Sequence, residues 1–235
     1  MVRVFDQRHR RRYLMVVVIV AALVGLDSCI FAHETHAHCS ARAVMENYAK
    51  LKPAAPRPVE LATTSTPVWR TISLGTTPST LALRNALDAA NCGVGDLAEQ
   101  ILARPAFTIR RAPMEVDLVP LSGLELGFPA KPVPLTAIYE RARKLGFELA
   151  PAEIGPQLRL QYADQPIGEF LHIAMEPIRT WNGEPVIFVV ANGGAGLILI
   201  GQQVEAETEV PATSRFVFVH RRDIAEAGPS EAVPR

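Results

Sequence analysis

Hydrophobic residues change their spacing along this chain, and each spacing predicts an element. Residues 79–90 carry Leu81, Leu83, Ala86, Leu87 and Ala90 at helical intervals. Ser79 offers a capping hydroxyl ahead of them, and Asn91-Cys92-Gly93 ends the helix. Asp96 caps a second helix over 97–103, which Pro105 stops. The clearest stripe lies in 135–145, where Leu135, Ile138, Tyr139, Ala142 and Leu145 share one side and Gly146 closes the run. Elsewhere the period is two. Residues 68–73, 107–110 and 115–121 read as strands, with Arg111-Ala112-Pro113 turning between the last two. Residues 157–162, Gln-Leu-Arg-Leu-Gln-Tyr, alternate strictly and predict a strand, although Gly155-Pro156 would also start a short helix. Apolar runs at 170–175, 186–191, 197–200 and 216–219 complete the strands. Asn182-Gly183 and Asn192-Gly193-Gly194 mark hairpin turns.

Helices dominate the first half and strands the second. This order predicts an α+β fold, with helices packed on one face of a mostly antiparallel sheet. There is no βαβαβ rhythm, and Gly193-Gly194-Ala195-Gly196 is no dinucleotide fingerprint because no helix follows it. The predicted globular domain spans 68–222, and 223–235 read as a disordered polar tail. Ahead of the domain, Pro53, Pro56, Pro58 and the Thr-rich stretch to Pro67 make 33–67 a juxtamembrane segment and Pro/Thr-rich linker with little packing.

A different pattern opens the chain. Arg8-His9-Arg10-Arg11-Arg12 precedes an uncharged apolar run over 13–26, extended to 32 across Asp27, Ser28 and Cys29. A basic run before an apolar one is the layout of a signal peptide or signal anchor, and places the bulk of the chain outside the cytoplasm. Residues 1–32 are therefore expected to be a targeting segment, with the membrane a partner through 13–32. Leu26-Asp27-Ser28-Cys29 loosely follows a lipoprotein box, and Arg10-Arg11-Arg12-Tyr13-Leu14 a twin-arginine signal. The alternative is initiation at Met45, which would give a cytoplasmic protein without a leader.

Several segments between 69 and 219 resemble a domain of uncharacterised proteins predicted from bacterial genomes. They are Thr71-Ile72-Ser73-Leu74-Gly75-Thr76, Ile101-Leu102-Ala103-Arg104-Pro105-Ala106-Phe107, Val116-Asp117-Leu118-Val119, Gly155-Pro156-Gln157-Leu158-Arg159-Leu160-Gln161-Tyr162 and Ile173-Ala174-Met175-Glu176-Pro177. The resemblance implies one domain unit and brings no catalytic residues. It does not include the basic-apolar leader.

Composition narrows the function classes. The 235 residues have zero formal net charge and a pI near 7.0, so nucleic acid is not an expected partner. Of three cysteines, only Cys92 falls in the predicted domain, so no disulfide can be drawn inside it. His33, His36, His38 and Cys39 have ligand types at metal-binding density, without the spacing of a closed zinc motif. Glu153, Gln157, Arg159, Gln161, Asp164, Gln165 and Glu169 form the most polar stretch near the core. On a strand, Gln157, Arg159 and Gln161 share a face that can bind a polar ligand, with Arg159 as the fork for a carboxylate or phosphate. Carboxylates between Glu153 and Glu169 can also act as acid and base in a small hydrolase. His172 and Cys92 read as packed residues, Trp69 and Trp181 have no platform spacing, and neither Ser79 nor Ser122 sits in a nucleophile elbow. No catalytic residue and no cofactor is expected. The leading expectation is a non-catalytic, exported, membrane-anchored binding domain for an unidentified protein or small molecule, with the hydrolase and the cytoplasmic domain as alternatives.

Overall fold

The computed structural model describes Cys39 and residues 59–63, 65–193, 196–205 and 207–220, all within one compact unit of the chain, Ala37–Arg235. The apolar run, His33, His36, His38, Met45 and the tail at 223–235 lie outside the described residues. No helix among the described residues is long and apolar enough to cross a membrane.

The fold is α+β. Four helices, α1 (Thr80–Ala89), α2 (Asp96–Leu102), α3 (Leu135–Lys144) and α4 (Ile154–Gln161), accompany a mixed sheet. The first strands are β1 (Arg70–Leu74), β2 (Gly93–Val94), β3 (Met114–Ser122), β4 (Val133–Pro134) and β5 (Phe147–Glu148). After α4 come β6 (Phe170–Ile173), β7 (Ile178–Arg179), β8 (Pro185–Asn192), β9 (Leu197–Gln203), β10 (Glu209–Val210) and β11 (Arg215–His220). The large sheet runs β1-β3-β11-β6-β8-β9-β2, with β5 also on β11 and β7 on β8, while β4 and β10 pair separately. Among the described residues every pair is antiparallel except β6–β11 and β2–β9.

Local signals explain much of this. The Ser79 side chain accepts from the Ala82 N–H at 3.1 Å, and Leu83 and Leu87 of the predicted stripe are buried. Leu81 points outward, 67% exposed. In α3, Leu135, Ile138, Tyr139 and Ala142 are buried as their spacing predicts, and Gly146 leaves the helix at φ +90°. The β7–β8 hairpin turns through Asn182-Gly183, with Gly183 at φ +86°, where a side chain would be strained. Pro120 sits inside β3 opposite Val217, beyond the last β1 pair at Arg70↔Leu118, so its missing N–H interrupts no ladder bond to β1.

Four expectations are corrected. Residues 157–162 belong to helix α4, not to a strand. Pro156 lies in the helix's first turn, where its absent N–H costs nothing, and Ile154 and Leu158 face the core at helical spacing. Residues 107–110 form no strand: Phe107 packs edge-on to Phe188, and the Arg110 N–H bonds a side chain. Gly95, not Asp96, is the N-cap of α2, and Asp96 is its first residue. Finally, helices occupy both faces of the sheet. Side chains alternate along β8, so Phe188 and Val189 point oppositely. On the Phe188 side, a Cβ on Gly155 of α4 would lie 2.8 Å from Phe188, and one on Gly201 would lie 2.6 Å from Leu97 of α2. The register aligns Leu121, Phe216, His172, Val189 and Ile200 on the other side. There Tyr139 of α3 meets Phe216 and Phe218 at centroid distances of 6.1 and 6.2 Å.

Candidate functional site

Because 157–162 is helical, its side chains distribute at a period of 3.6 rather than 2, and the polar group divides three ways. Glu153, Gln157 and Gln161 stand at i, i+4 and i+8, one stripe along α4 and its N-cap. Glu153 is 1% exposed, and its carboxylate accepts the Gly75 N–H at 2.8 Å and the Arg110 N–H at 2.9 Å. It thereby gathers the loop after β1 and the loop before β3 onto α4. Gly75 makes the approach possible: at φ +66°, a Cβ there would stand 2.2 Å from the Ala112 carbonyl oxygen. Gln157 Nε2 donates to Thr76 Oγ1 at 3.2 Å. Gln161 accepts the Ser73 N–H and donates to the Ser73 carbonyl, both at 2.9 Å. That amide takes the place of a neighbouring strand on β1, whose open edge would otherwise be free to pair.

Arg159 lies apart from this stripe. It is fully buried, its guanidinium donating to Gln165 Oε1, the Tyr162 carbonyl and the Ala191 carbonyl, with Nε unpartnered among the described residues. Gln165 donates in turn to the Val190 carbonyl at 3.0 Å, and Asn192 Nδ2 to the Gln165 carbonyl at 2.8 Å. Burial pulls the Arg159 pKa down to about 10, opposed by Tyr162 and the Glu169 charge. The group is still a cation at neutral pH, held by neutral acceptors. Glu169 accepts the Tyr162 hydroxyl at 2.8 Å and lies 3.7 Å from Arg215. Burial and the Glu169 charge push the Tyr162 phenol well above the usual range, so it remains a donor.

Asp164 is at the surface, paired with Arg70 at 2.9 Å. The Arg70 guanidinium also stands 4.5 Å from the Tyr162 ring centroid and 5.3 Å from that of Trp69. The predicted shared face of Gln157, Arg159 and Gln161 is therefore not formed. Glu153, Asp164 and Glu169 each serve different partners. Sequence reasoning placed Gln165 in the polar stretch and read Asn192 only as part of a turn signal; what it missed is that both join Arg159 in one buried network.

The cysteines pair unexpectedly. Cys39 and Cys92 form a disulfide across 53 residues of chain, both nearly inaccessible at 2% and 5% exposure. The pairing was illegible because Cys39 lies upstream of the predicted domain. It also occupies the one thiolate of the expected histidine-cysteine metal set, whose other members lie outside the described residues. Among the described residues no cluster of three metal-ligating side chains occurs.

Part of the expected linker packs on the domain. Ala62 is buried, its N–H 2.7 Å from the Glu125 carbonyl. A cleft of about 710 Å³ opens there between Glu60, Leu61, Thr63, Ser65, Leu121 and Glu125. Thr63, Ser65 and Thr66 satisfy one another, and Glu125 accepts the N–H and hydroxyl of Ser122 at 2.7 Å. At the β7–β8 tip Trp181 is 65% exposed, with the Arg104 guanidinium 4.1 Å from its ring centroid. His172 stacks on Phe216 at 4.9 Å, and its buried Nδ1 has no hydrogen-bond partner among the described residues. Comparison with protein-family models, curated proteins and solved structures finds no match for this chain.

Proposed function

We propose that this chain is an exported binding or interaction module, held at a membrane by residues 13–32 with its folded domain on the extracytoplasmic side. The buried Cys39–Cys92 bridge carries the reading. Disulfides persist in oxidising compartments and are reduced in the cytosol of most cells. Initiation at Met45 would delete Cys39 and strand Cys92, so the bridge supports a start upstream and, with it, the basic-apolar leader. A binding role is favoured over the hydrolase because Glu153, Gln157 and Gln161 are spent on holding β1 and its loops. Trp181 backed by Arg104 offers a surface of the residue types that dominate binding energy at interfaces.

The test is expression of the full-length chain with a C-terminal tag. Free thiols are alkylated in intact cells before fractionation and intact-mass measurement. A membrane-bound product that keeps residues 1–32 and carries no label on Cys39 or Cys92 is the expected result. A soluble product starting near Met45 with Cys92 alkylated overturns the proposal.

A further inference from the structure

The bridge changes which part of the chain bears the anchor. Cys39 is held to the domain three ways: by the disulfide to Cys92, by its N–H to the Ala90 carbonyl at 3.1 Å, and by its carbonyl, which accepts from the Leu197 N–H at 3.0 Å. The apolar run ends at Ala32. The covalent path from there to the bridge is residues 33–39, an extended length of at most about 25 Å. Through the peptide chain alone, the path from Ala32 to β1 has an extended length of at most about 130 Å. Residues 40–69, including Pro53, Pro56 and Pro58, then belong to a closed side loop rather than to the tether.

Taking residues 13–32 as the membrane anchor, as proposed above, we infer that the Cys39–Cys92 disulfide is the tether, and that release of the domain requires two events together. One is a peptide-bond cleavage in the loop at 40–69. The other is reduction of the bridge by a dithiol. A thiolate of the dithiol attacks one bridge sulfur, and the other Cys leaves as a thiolate and takes a proton. The dithiol's second thiol then displaces the attacked Cys, closing its own disulfide. The cystine gains two electrons and two protons, and the dithiol loses them. Either event alone leaves the domain attached, by the disulfide after a cut and by the peptide chain after reduction.

The test inserts a site-specific protease sequence between Lys52 and Pro58 of the full-length, C-terminally tagged chain. Isolated membranes are treated with protease, with dithiothreitol, with both or with neither, then pelleted. The expected result is at least tenfold more tagged domain in the supernatant after both treatments than after either alone. Cys92→Ser should release the domain on cutting alone. The reductant arm on the unsubstituted cysteines keeps the test decisive if that variant fails to fold. Release of the native-cysteine chain by protease alone overturns the inference, as does retention after both treatments. Failure of the anchor reading looks different: the uncut chain is then already in the supernatant. In that case the bridge is still read on gels, where a cut chain that separates without reductant overturns it.

Discussion

At the scale of single residues, the polar groups of α4 matter more as fasteners than as ligands. Glu153 shows this most directly, since one carboxylate satisfies two backbone donors from different loops. Glu153→Ala would leave the Gly75 and Arg110 N–H groups without their acceptor, a loss of about 3 kcal/mol. Glu153→Gln keeps one carbonyl acceptor and should lose about half as much. Urea unfolding of the two variants checks this, and an alanine variant within error of the parent would refute the assigned role. His172 gives a pH prediction. Burial lowers its pKa to about 4, against a weaker opposing bond from Gln202. The unfolded chain takes up its proton near 6.5, so between pH 6.5 and 4 the unfolded state binds more protons. Stability therefore falls as pH drops through this window and levels off below it. Between pH 7 and 5 this residue should cost about 2 kcal/mol, a difference that disappears in His172→Gln. Equal pH slopes for parent and variant would contradict the argument. The residue types were legible in sequence, because a cluster of Glu, Gln and Arg beside leucines stands out by composition. Their roles were not, since a role depends on which backbone groups the fold brings opposite.

At the scale of elements, legibility follows the range of the information. The Ser79 cap and the stripe of α3 are written within one or two helical turns, and both appear where the spacing places them. The segment that forms α4 satisfies two periods at once. Leu158 and Leu160 alternate with polar residues, while Ile154 and Leu158 are four apart. Burial separates the readings: Leu158 is fully buried and Leu160 only partly. What selects the helix is the partner it packs on. Gly155 lets α4 lie directly against Phe188, where a Cβ would approach to 2.8 Å. Gly155→Ala therefore sets two effects against each other. Helix propensity gains up to about 1 kcal/mol, while overpacking against a buried ring costs about 1–3 kcal/mol. The net expectation is destabilisation, seen as a thermal midpoint several degrees lower, because about 1 kcal/mol moves the midpoint by a few degrees in a domain of this size. A variant more stable than the parent would mean that α4 does not press on β8. The parallel β6–β11 pair was illegible for a related reason, since its partners lie far apart in sequence and no local turn fixes their register.

At the scale of the whole molecule, the strand order places β11, the last strand among the described residues, beside both β3 and β6, so the two parts of the sheet join only through residues 215–220. The core draws on Cys39 and Ala62 upstream of β1 and then on residues from Ile72 to Val219. The sequence order of helices and strands indicates the class of such a fold, but not that α3 would cross to the opposite face from α2 and α4. The disulfide acts at the same scale. It joins a residue upstream of β1 to one just past the end of α1 and closes a loop of 53 residues, so it restricts the unfolded chain, while both cysteines also pack in the core. A loop of that length corresponds to about 4 kcal/mol of lost unfolded-state entropy. Domains of this kind have total stabilities of about 5–15 kcal/mol, so the bridge is a large fraction of the whole. The reduced protein should still fold, because β1, α1 and their packing partners hold the loop ends without it, but its urea midpoint should fall sharply. Its dependence on urea should also steepen, since an uncrosslinked unfolded chain exposes more surface. Unfolding curves with and without a dithiol, alongside Cys39→Ala/Cys92→Ala, measure both quantities. If the midpoint is the same in all three, the two cysteines are not joined in the folded protein. A lower midpoint with an unchanged slope would place the bridge's effect in the native state instead, through the contacts of Cys39 with Ala90 and Leu197.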